Sequence, residues 1–264
     1  MKKVRLDQLV FDKGYTESRE RAKTTIMSGL VFVNGQRADK PGMSVAEDAE
    51  IEVRGNALPF VSRGGYKLDK ALKVFPVDPT DKICIDCGAS TGGFTDVLLQ
   101  HGAKKVYSVD VGYGQLAWKL RQDERVVNLE RTNLRYVTQE QIPELLDIAV
   151  MDVSFISIRL VLPAVKALLK NDADIICLIK PQFEAGRDEV GKKGVVRDEK
   201  VHESVVRGIL DFAPEIGLCV EGLDFSPIKG PEGNIEYICY MKNRAGENAQ
   251  VDVAAIVEAS HRAL

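Results

Sequence analysis

Four ionisable residues, Lys67, Asp152, Lys180 and Glu236, stand in chain order beside apolar runs, where a purely structural segment has no need of a charge. Leu146-Asp-Ile-Ala-Val-Met runs into Asp152, and Asp174-Ile-Ile-Cys-Leu-Ile runs into Lys180. Glu236 sits near the start of Gly233-Asn-Ile-Glu-Tyr-Ile-Cys-Tyr. Lys67 falls in the first turn of a predicted helix, where the helix dipole disfavours a cation. Two lysines and two carboxylates held together suit removal of a proton from a very weak acid. Two lysines held close, one of them desolvated, lower the ammonium pKa of the partner, and Lys180 takes the role of base. Singly, each has a plain alternative: Asp152 as a helix cap, Lys180 as a surface lysine, Glu236 on a solvated strand face. The set in order carries the chemical reading.

A second stretch names the kind of ligand. Ile83-Cys-Ile-Asp86 is a short apolar run ending in a carboxylate, followed by Gly88-Ala-Ser90-Thr-Gly92-Gly93 and by Phe94, Val97 and Leu98 at helical spacing. That is strand, glycine turn and helix, the first unit of an open α/β sheet with its turn at the ligand edge. Small residues there admit close approach to the backbone, and the helix offers its positive end. The glycine order departs from the Gly-x-Gly-x-x-Gly of dinucleotide sites. Asp86, before the turn, repels a phosphate and welcomes a cationic amino acid. Asp110, ending the run from Lys105 to Val109, is placed to take two ribose hydroxyls. Asp86, Gly88, Ser90, Gly92, Gly93 and Asp110 therefore suit a nucleoside with an amino-acid tail, S-adenosylmethionine rather than NAD. With that cofactor, the four charged residues suit methylation of a ribose 2′-hydroxyl by in-line displacement. Asp152 lies nearest the sulfonium and steers Lys180, while Lys67 and Glu236 orient the hydroxyl. No metal is required.

Composition bounds the setting. The chain has 264 residues, 45% hydrophobic and 28% charged, enough for one large domain and a small one. No apolar run reaches membrane-spanning length, and the Met-Lys-Lys-Val-Arg-Leu-Asp start has no signal-peptide core. Five cysteines, mostly in apolar runs, point to buried thiols and a reducing cytoplasm. Cys84 and Cys87 form a lone Cys-x-x-Cys with no second pair, a poor zinc site. The net charge of −3 is uneven: residues 1–73 hold 14 Lys and Arg against 10 Asp and Glu, the remainder 22 against 29. A basic front on an acidic body implies a localised electrostatic footprint.

The elements that must position these residues follow in order. Residues 1–58 are expected to form a small α+β domain: a first helix ending near Gly14, a second capped by Ser18 and ended by Gly29, a strand Leu30–Val33, a tight turn at Asn34-Gly35, and a strand Ala49–Val53. Residues 59–65 are expected to be a linker and 66–264 the catalytic domain. There, strands are predicted at 83–87, 105–109, 126–130, 147–152, 174–179, 218–225 and 235–241. Helices are predicted at 66–74 and near 93–101, 114–122, 138–145, 157–170, 198–213 and 252–262. The alternation predicts an α/β, Rossmann-like class I methyltransferase sheet, mostly parallel, with an antiparallel last strand at its edge. An antiparallel last strand brings Glu236 to the rim that holds Asp152 and Lys180.

Two resemblances rest on these residues. Arg5-Leu-Asp, Ser18-Arg-x-x-Ala22, Ile26, Gly29-x-Val31-x-Val33-Asn34-Gly35, Pro41 and Asp48-x-x-Ile51-x-Val53 resemble the S4-like RNA-binding domain. This implies contact with structured RNA through the basic helix and hairpin, with Arg5, Arg19, Arg21, Lys23, Arg37 and Arg63 as candidates. Phe60-Val-Ser-Arg-Gly-Gly-Tyr-Lys-Leu, Asp86-Cys-Gly-Ala-Ser-Thr-Gly-Gly-Phe-Thr-Asp, Asp110-Val-Gly-Tyr-Gly-Gln-Leu, Asp152-Val-Ser-Phe-Ile-Ser and Lys180-Pro-Gln-Phe-Glu look like the TlyA family over nearly the whole chain. That resemblance implies a cytoplasmic S4-like plus FtsJ-like enzyme, methylating cytidine 2′-oxygens of ribosomal RNA or ribosomal subunits. It also puts the segment Glu130 to Arg135, with Asn133, against adenine, without singling out a side chain or an amide. Rival readings are an RNA-binding protein with a vestigial or sensing methyltransferase domain, a membrane-active haemolysin (a label some family members carry), and an NAD-dependent oxidoreductase.

Overall fold

The computed structural model describes residues 3–16, 18–54, 59–191 and 193–264. The chain divides into two compact units, Met1–Arg63 and Gly64–Leu264. Residues 55–58, the end of the expected first domain, lie outside the described residues.

In the first unit, β1 (Lys3–Arg5) leads into α1 (Leu6–Asp12), and α2 (Arg19–Met27) precedes β2 (Val31–Val33), β3 (Gln36–Ala38), β4 (Ser44–Ala46) and β5 (Ile51–Val53). Ser18 caps α2 by accepting the Arg21 amide at 3.1 Å. Asn34 and Gly35 both have positive φ, the backbone of a tight hairpin turn joining β2 to β3. Leu6, Leu9, Val10, Ala22, Ile26, Val31 and Ile51 close the core between helices and strands.

The second unit is built on α3 (Gly65–Val74), β6 (Ile83–Cys87), α4 (Gly93–Gln100), β7 (Lys105–Val109), α5 (Trp118–Arg121), β8 (Val126–Leu129), β9 (Leu146–Met151), α6 (Leu162–Lys166), β10 (Leu169–Ile179), α7 (Pro181–Glu184), α8 (Glu199–Glu215), β11 (Cys219–Phe225), β12 (Tyr237–Lys242) and α9 (Val253–Ala263). Seven strands pair in the order β11-β12-β10-β9-β6-β7-β8. From β10 through β8 all pairs are parallel, and β12 is antiparallel to both neighbours. The last strand is thus antiparallel, but it is not the edge: β12 inserts between β10 and β11, satisfying ladder groups on both sides. Its five consecutive buried residues, Tyr237 to Met241, fit an interior strand. The strand order reverses at β6, flanked by β7 and β9, and such a reversal opens a crevice at the carboxyl ends.

Three predicted helices are corrected. None forms over 138–145: Pro143 has no amide to donate, and the Thr138 and Gln141 side chains bond locally to the amides of Glu140 and Thr138. The helix expected at 114–122 shrinks to Trp118–Arg121, because Gly114 takes a left-handed φ of 72° and its amide binds Glu130. The span 157–170 holds a short 3₁₀ turn at Ile158–Leu160 and the brief α6, and from Leu169 it is already β10.

Candidate active site

The carboxyl edge of the sheet gathers the residues that sequence separates. Met151 ends β9 opposite Cys87 and Cys177, and Ile179 ends β10 opposite Tyr237 of antiparallel β12. Asp152, Lys180 and Glu236 are the next residues beyond those pairs, so all three sit on one rim. α3 brings Lys67 to the same rim.

The contacts form one chain. Lys67 Nζ lies 2.6 Å from Glu236 Oε2 and 3.2 Å from Asp152 Oδ2. Lys180 Nζ lies 2.5 Å from the other oxygen, Asp152 Oδ1, and donates to Ser154 Oγ at 2.9 Å. Lys67, Lys180 and Glu236 are buried, and Asp152 keeps a fifth of its side chain accessible, marking where the cluster opens. Burial presses the Lys67 ammonium downward, but the charges of Asp152 and Glu236 outweigh it and hold its pKa above the ordinary value. Burial likewise works against the Asp152 carboxylate, yet Lys67 and Lys180 hold its pKa below the usual range. Lys67, for which the sequence reading expects an orienting role, is thus held as the charged partner of the lysine pair. Asp152 stands between them and screens cation from cation, so Lys67 is a fixed ammonium.

The glycine turn lies beside this cluster. Gly88 has φ +83°, and a Cβ there would meet the Asp152 carbonyl oxygen at 2.8 Å, so only glycine lets β6 and β9 approach this closely. The amides of Gly88 and Ala89 both donate to Val109 O, tying the turn to the end of β7. Gly92 takes φ +92° as the cap of α4, and its open side is filled by Leu116 and Leu120. Gly93 begins α4 in a buried position. Asp86 is buried; its Oδ2 accepts from the Thr95 amide at 2.8 Å and hydroxyl at 2.7 Å, while its Oδ1 has no hydrogen-bond partner among the described residues. Burial pushes this carboxyl up to about 7. Asp110 accepts from Ser90 N at 2.8 Å and Gly112 N at 2.7 Å, one bond to each oxygen, leaving lone pairs for hydroxyls. Asn133 is exposed and caps a 3₁₀ turn through Arg135 N, and Thr132 N donates to Asp110 O. An orphaned buried carboxylate oxygen, a turn that tolerates no Cβ and a part-satisfied carboxylate together fit a nucleoside with a cationic amino-acid end.

Sequence reasoning missed three residues of this rim. Ser154 lies against Lys180; Phe155 is 92% exposed with φ 63°, its ring 5.2 Å from that of Phe183; Glu184 accepts from Ser157 Oγ at 2.6 Å and Ile158 N at 2.8 Å. All three stand inside quoted motifs, but a loop and a helix of four residues leave no periodic signal.

In the first unit, Asp7 is fully buried and draws in two of the candidate arginines: Arg5 binds it with two bonds of 3.0 Å, and Arg19 lies at 3.2 Å. Lys23 instead pairs with Glu20 along α2, and the Arg37 guanidinium lies over Gly29. Arg21 sits within the first turn of α2, and Arg63 is exposed at the end of the unit.

Comparison with known proteins agrees with this geometry. Residues 60–243 match the FtsJ-like methyltransferase family, and residues 4–51 match the S4 domain. The protein YqxC of Bacillus subtilis is 51% identical over 269 residues, spanning 100% of this chain and 96% of its own length. The 16S/23S rRNA (cytidine-2′-O)-methyltransferase TlyA of Mycobacterium tuberculosis is 41% identical, covering 100% of this chain and 98% of that protein. The chain belongs to the TlyA family of FtsJ-like methyltransferases. A solved structure from Streptococcus thermophilus, 46% identical, superposes with a TM-score of 0.80 over 100% of this chain and 97% of its own. The TlyA family membership accounts for the S4 domain, the seven-stranded sheet and the glycine turn in a single chain. Among the described residues, no helix is long and apolar enough to cross a membrane.

Proposed function

We propose that this TlyA-family chain uses S-adenosylmethionine to methylate a ribose 2′-oxygen of ribosomal RNA, with cytidine as the target nucleoside and the cytoplasm as its site of action. The observation that carries the reading is the continuous contact chain Glu236–Lys67–Asp152–Lys180–Ser154 beside the glycine turn.

In this proposal Asp86, Gly88, Ser90 and Asp110 hold the cofactor, with Asn133 in the loop beside Asp110 and Gly92 and Gly93 shaping the turn below. The bound cofactor supplies an electrophilic methyl group on a sulfonium. Asp86 Oδ1 suits its ammonium, and the two oxygens of Asp110 suit ribose hydroxyls. Lys180 Nζ is the group placed to take the 2′-hydroxyl proton. One Asp152 oxygen and Ser154 Oγ fix its position. Lys67, kept cationic by Glu236 and Asp152, holds the opposite side of that carboxylate and offers a donor to the substrate oxygen. Phe155 presents an aromatic face to solvent at the same rim, a surface on which a displaced base can stack. Arg5 and Arg19, held side by side by Asp7, serve as phosphate contacts in the S4 domain, with Arg21, Lys23, Arg37 and Arg63 as further candidates.

Nucleoside analysis of ribosomal RNA after incubation with the protein and isotopically labelled S-adenosylmethionine tests the reading. Labelled 2′-O-methylcytidine is expected. Label carried only on the bases, or none on RNA from any subunit, would overturn it.

A further inference from the structure

We infer that Glu184 is a positioning residue for methyl transfer: its carboxylate clamps the Asp152–Ile158 loop onto the Lys180 segment, setting Ser154 and Phe155 at the rim. This rests on the function proposed above and deepens it. The loop is an arch with two feet. At one, Asp152 N donates to Cys87 O at 3.0 Å, fixing the residue that both lysines bind. At the other, Glu184 takes both available donors, the Ser157 hydroxyl at 2.6 Å and the Ile158 amide at 2.8 Å.

Between the feet lies strain. Phe155 occupies the left-handed region at φ 63°, which a non-glycine residue rarely adopts, and the residue is 92% exposed. Little burial offsets that conformation, so the closure of the arch must hold it. The clamp also starts from the right place. α7 begins at Pro181, directly after Lys180, and carries both Phe183, whose ring meets Phe155, and Glu184. Phe183 N donates to Lys180 O at 2.9 Å, so base, ring and clamp move as one short helix. A simple cap for the Ile158–Leu160 turn would need no second bond, since Ser157 Oγ already accepts the Arg159 amide there.

The clamp works by geometry rather than charge. Burial raises the Glu184 carboxyl above its ordinary value against its two hydrogen bonds. Glu184→Gln keeps both contacts, because its amide oxygen still accepts from Ile158 and its NH₂ can donate to Ser157 Oγ. Glu184→Ala removes both.

Amide hydrogen exchange over residues 153–158 and steady-state kinetics on ribosomal subunits, for wild type, Glu184→Gln, Glu184→Ala, Ser157→Ala and the double Ala variant, test the inference. Glu184→Ala is expected to speed loop exchange about tenfold and to lower kcat/KM for RNA by about 30-fold, the scale of a misplaced reacting group. Cofactor affinity and circular dichroism are expected to stay unchanged. Glu184→Gln should remain within about threefold of wild type, and Ser157→Ala should add nothing once Glu184 is Ala, since one clamp is already open. Wild-type exchange in Glu184→Ala, or a Gln variant as impaired as Ala, would overturn the clamp. A wild type that transfers no methyl while the loop data hold would overturn the enzyme reading and leave the clamp standing.

Discussion

Asp152 joins two lysines through its two oxygens, and removing its charge leaves both buried side chains short of a partner. Asp152→Asn is therefore expected to lower methyl transfer by about 10²–10⁴-fold, as loss of a positioned proton-transfer network does. Activity near that of wild type would exclude the arrangement. The pKa of Asp152 is depressed and that of Lys67 raised. The stabilisation from Asp152 is thus present above the ordinary carboxylate pKa and is lost as pH falls through its folded value. That from Lys67 is present below the ordinary lysine pKa and is lost as pH rises through its folded value, so the cluster is intact around neutrality. Asp86 runs the other way. Its carboxyl, raised to about 7, stabilises the fold below its ordinary pKa, and that contribution fades as pH rises towards 7. A cationic ligand favours the ionised form, so calorimetric affinity for S-adenosylmethionine is expected to weaken by up to about tenfold per pH unit below 7. Asp86→Asn should flatten that dependence and, with no ligand, raise the thermal midpoint at pH 8 more than at pH 5. A pH-independent wild-type affinity would contradict this role.

At the scale of elements, the turn between β6 and α4 is the most constrained piece of backbone in the site. Gly88→Ala forces a Cβ into the Asp152 carbonyl at a left-handed φ, so β6 and β9 must separate. Cofactor binding by calorimetry is expected to weaken at least about tenfold, with about 1–2 kcal/mol of stability lost to the left-handed backbone. Unchanged affinity would place the cofactor elsewhere. This turn was legible because glycine spacing after an apolar run reports a backbone need directly. Asp152 and Lys180 were legible for a similar reason, since the topology puts every parallel strand end on one rim, and Glu236 joins them because it precedes an antiparallel strand. The interior place of β12 was not, because sequence order does not encode which strand inserts between which. The missing helix at 138–145 had the periodicity but not the hydrogen bonds, with Pro143 in its path. Ser154, Phe155 and Glu184 escaped notice because the arch that joins them depends on one left-handed residue, and no pattern announces it.

Across the molecule, charge and chemistry are divided between two units. The S4 unit keeps Arg5 and Arg19 together on a buried aspartate, an arrangement invisible to composition, which shows only an excess of basic residues. Arg19→Ala is expected to weaken subunit binding and to reduce the slope of log affinity against log salt by about 1, with kcat unchanged at saturation. An unaltered salt slope would remove Arg19 from the phosphate contacts. The central claim, ribose methylation with Lys180 as base, is tested most directly by transfer of tritium from labelled S-adenosylmethionine to purified ribosomal subunits, comparing wild type with Lys180→Ala. The account predicts label at a site that resists alkaline cleavage in wild type, and at least about a hundredfold less in the variant while cofactor affinity holds. Equal labelling by both proteins, or label at a site that alkali still cleaves, would contradict it.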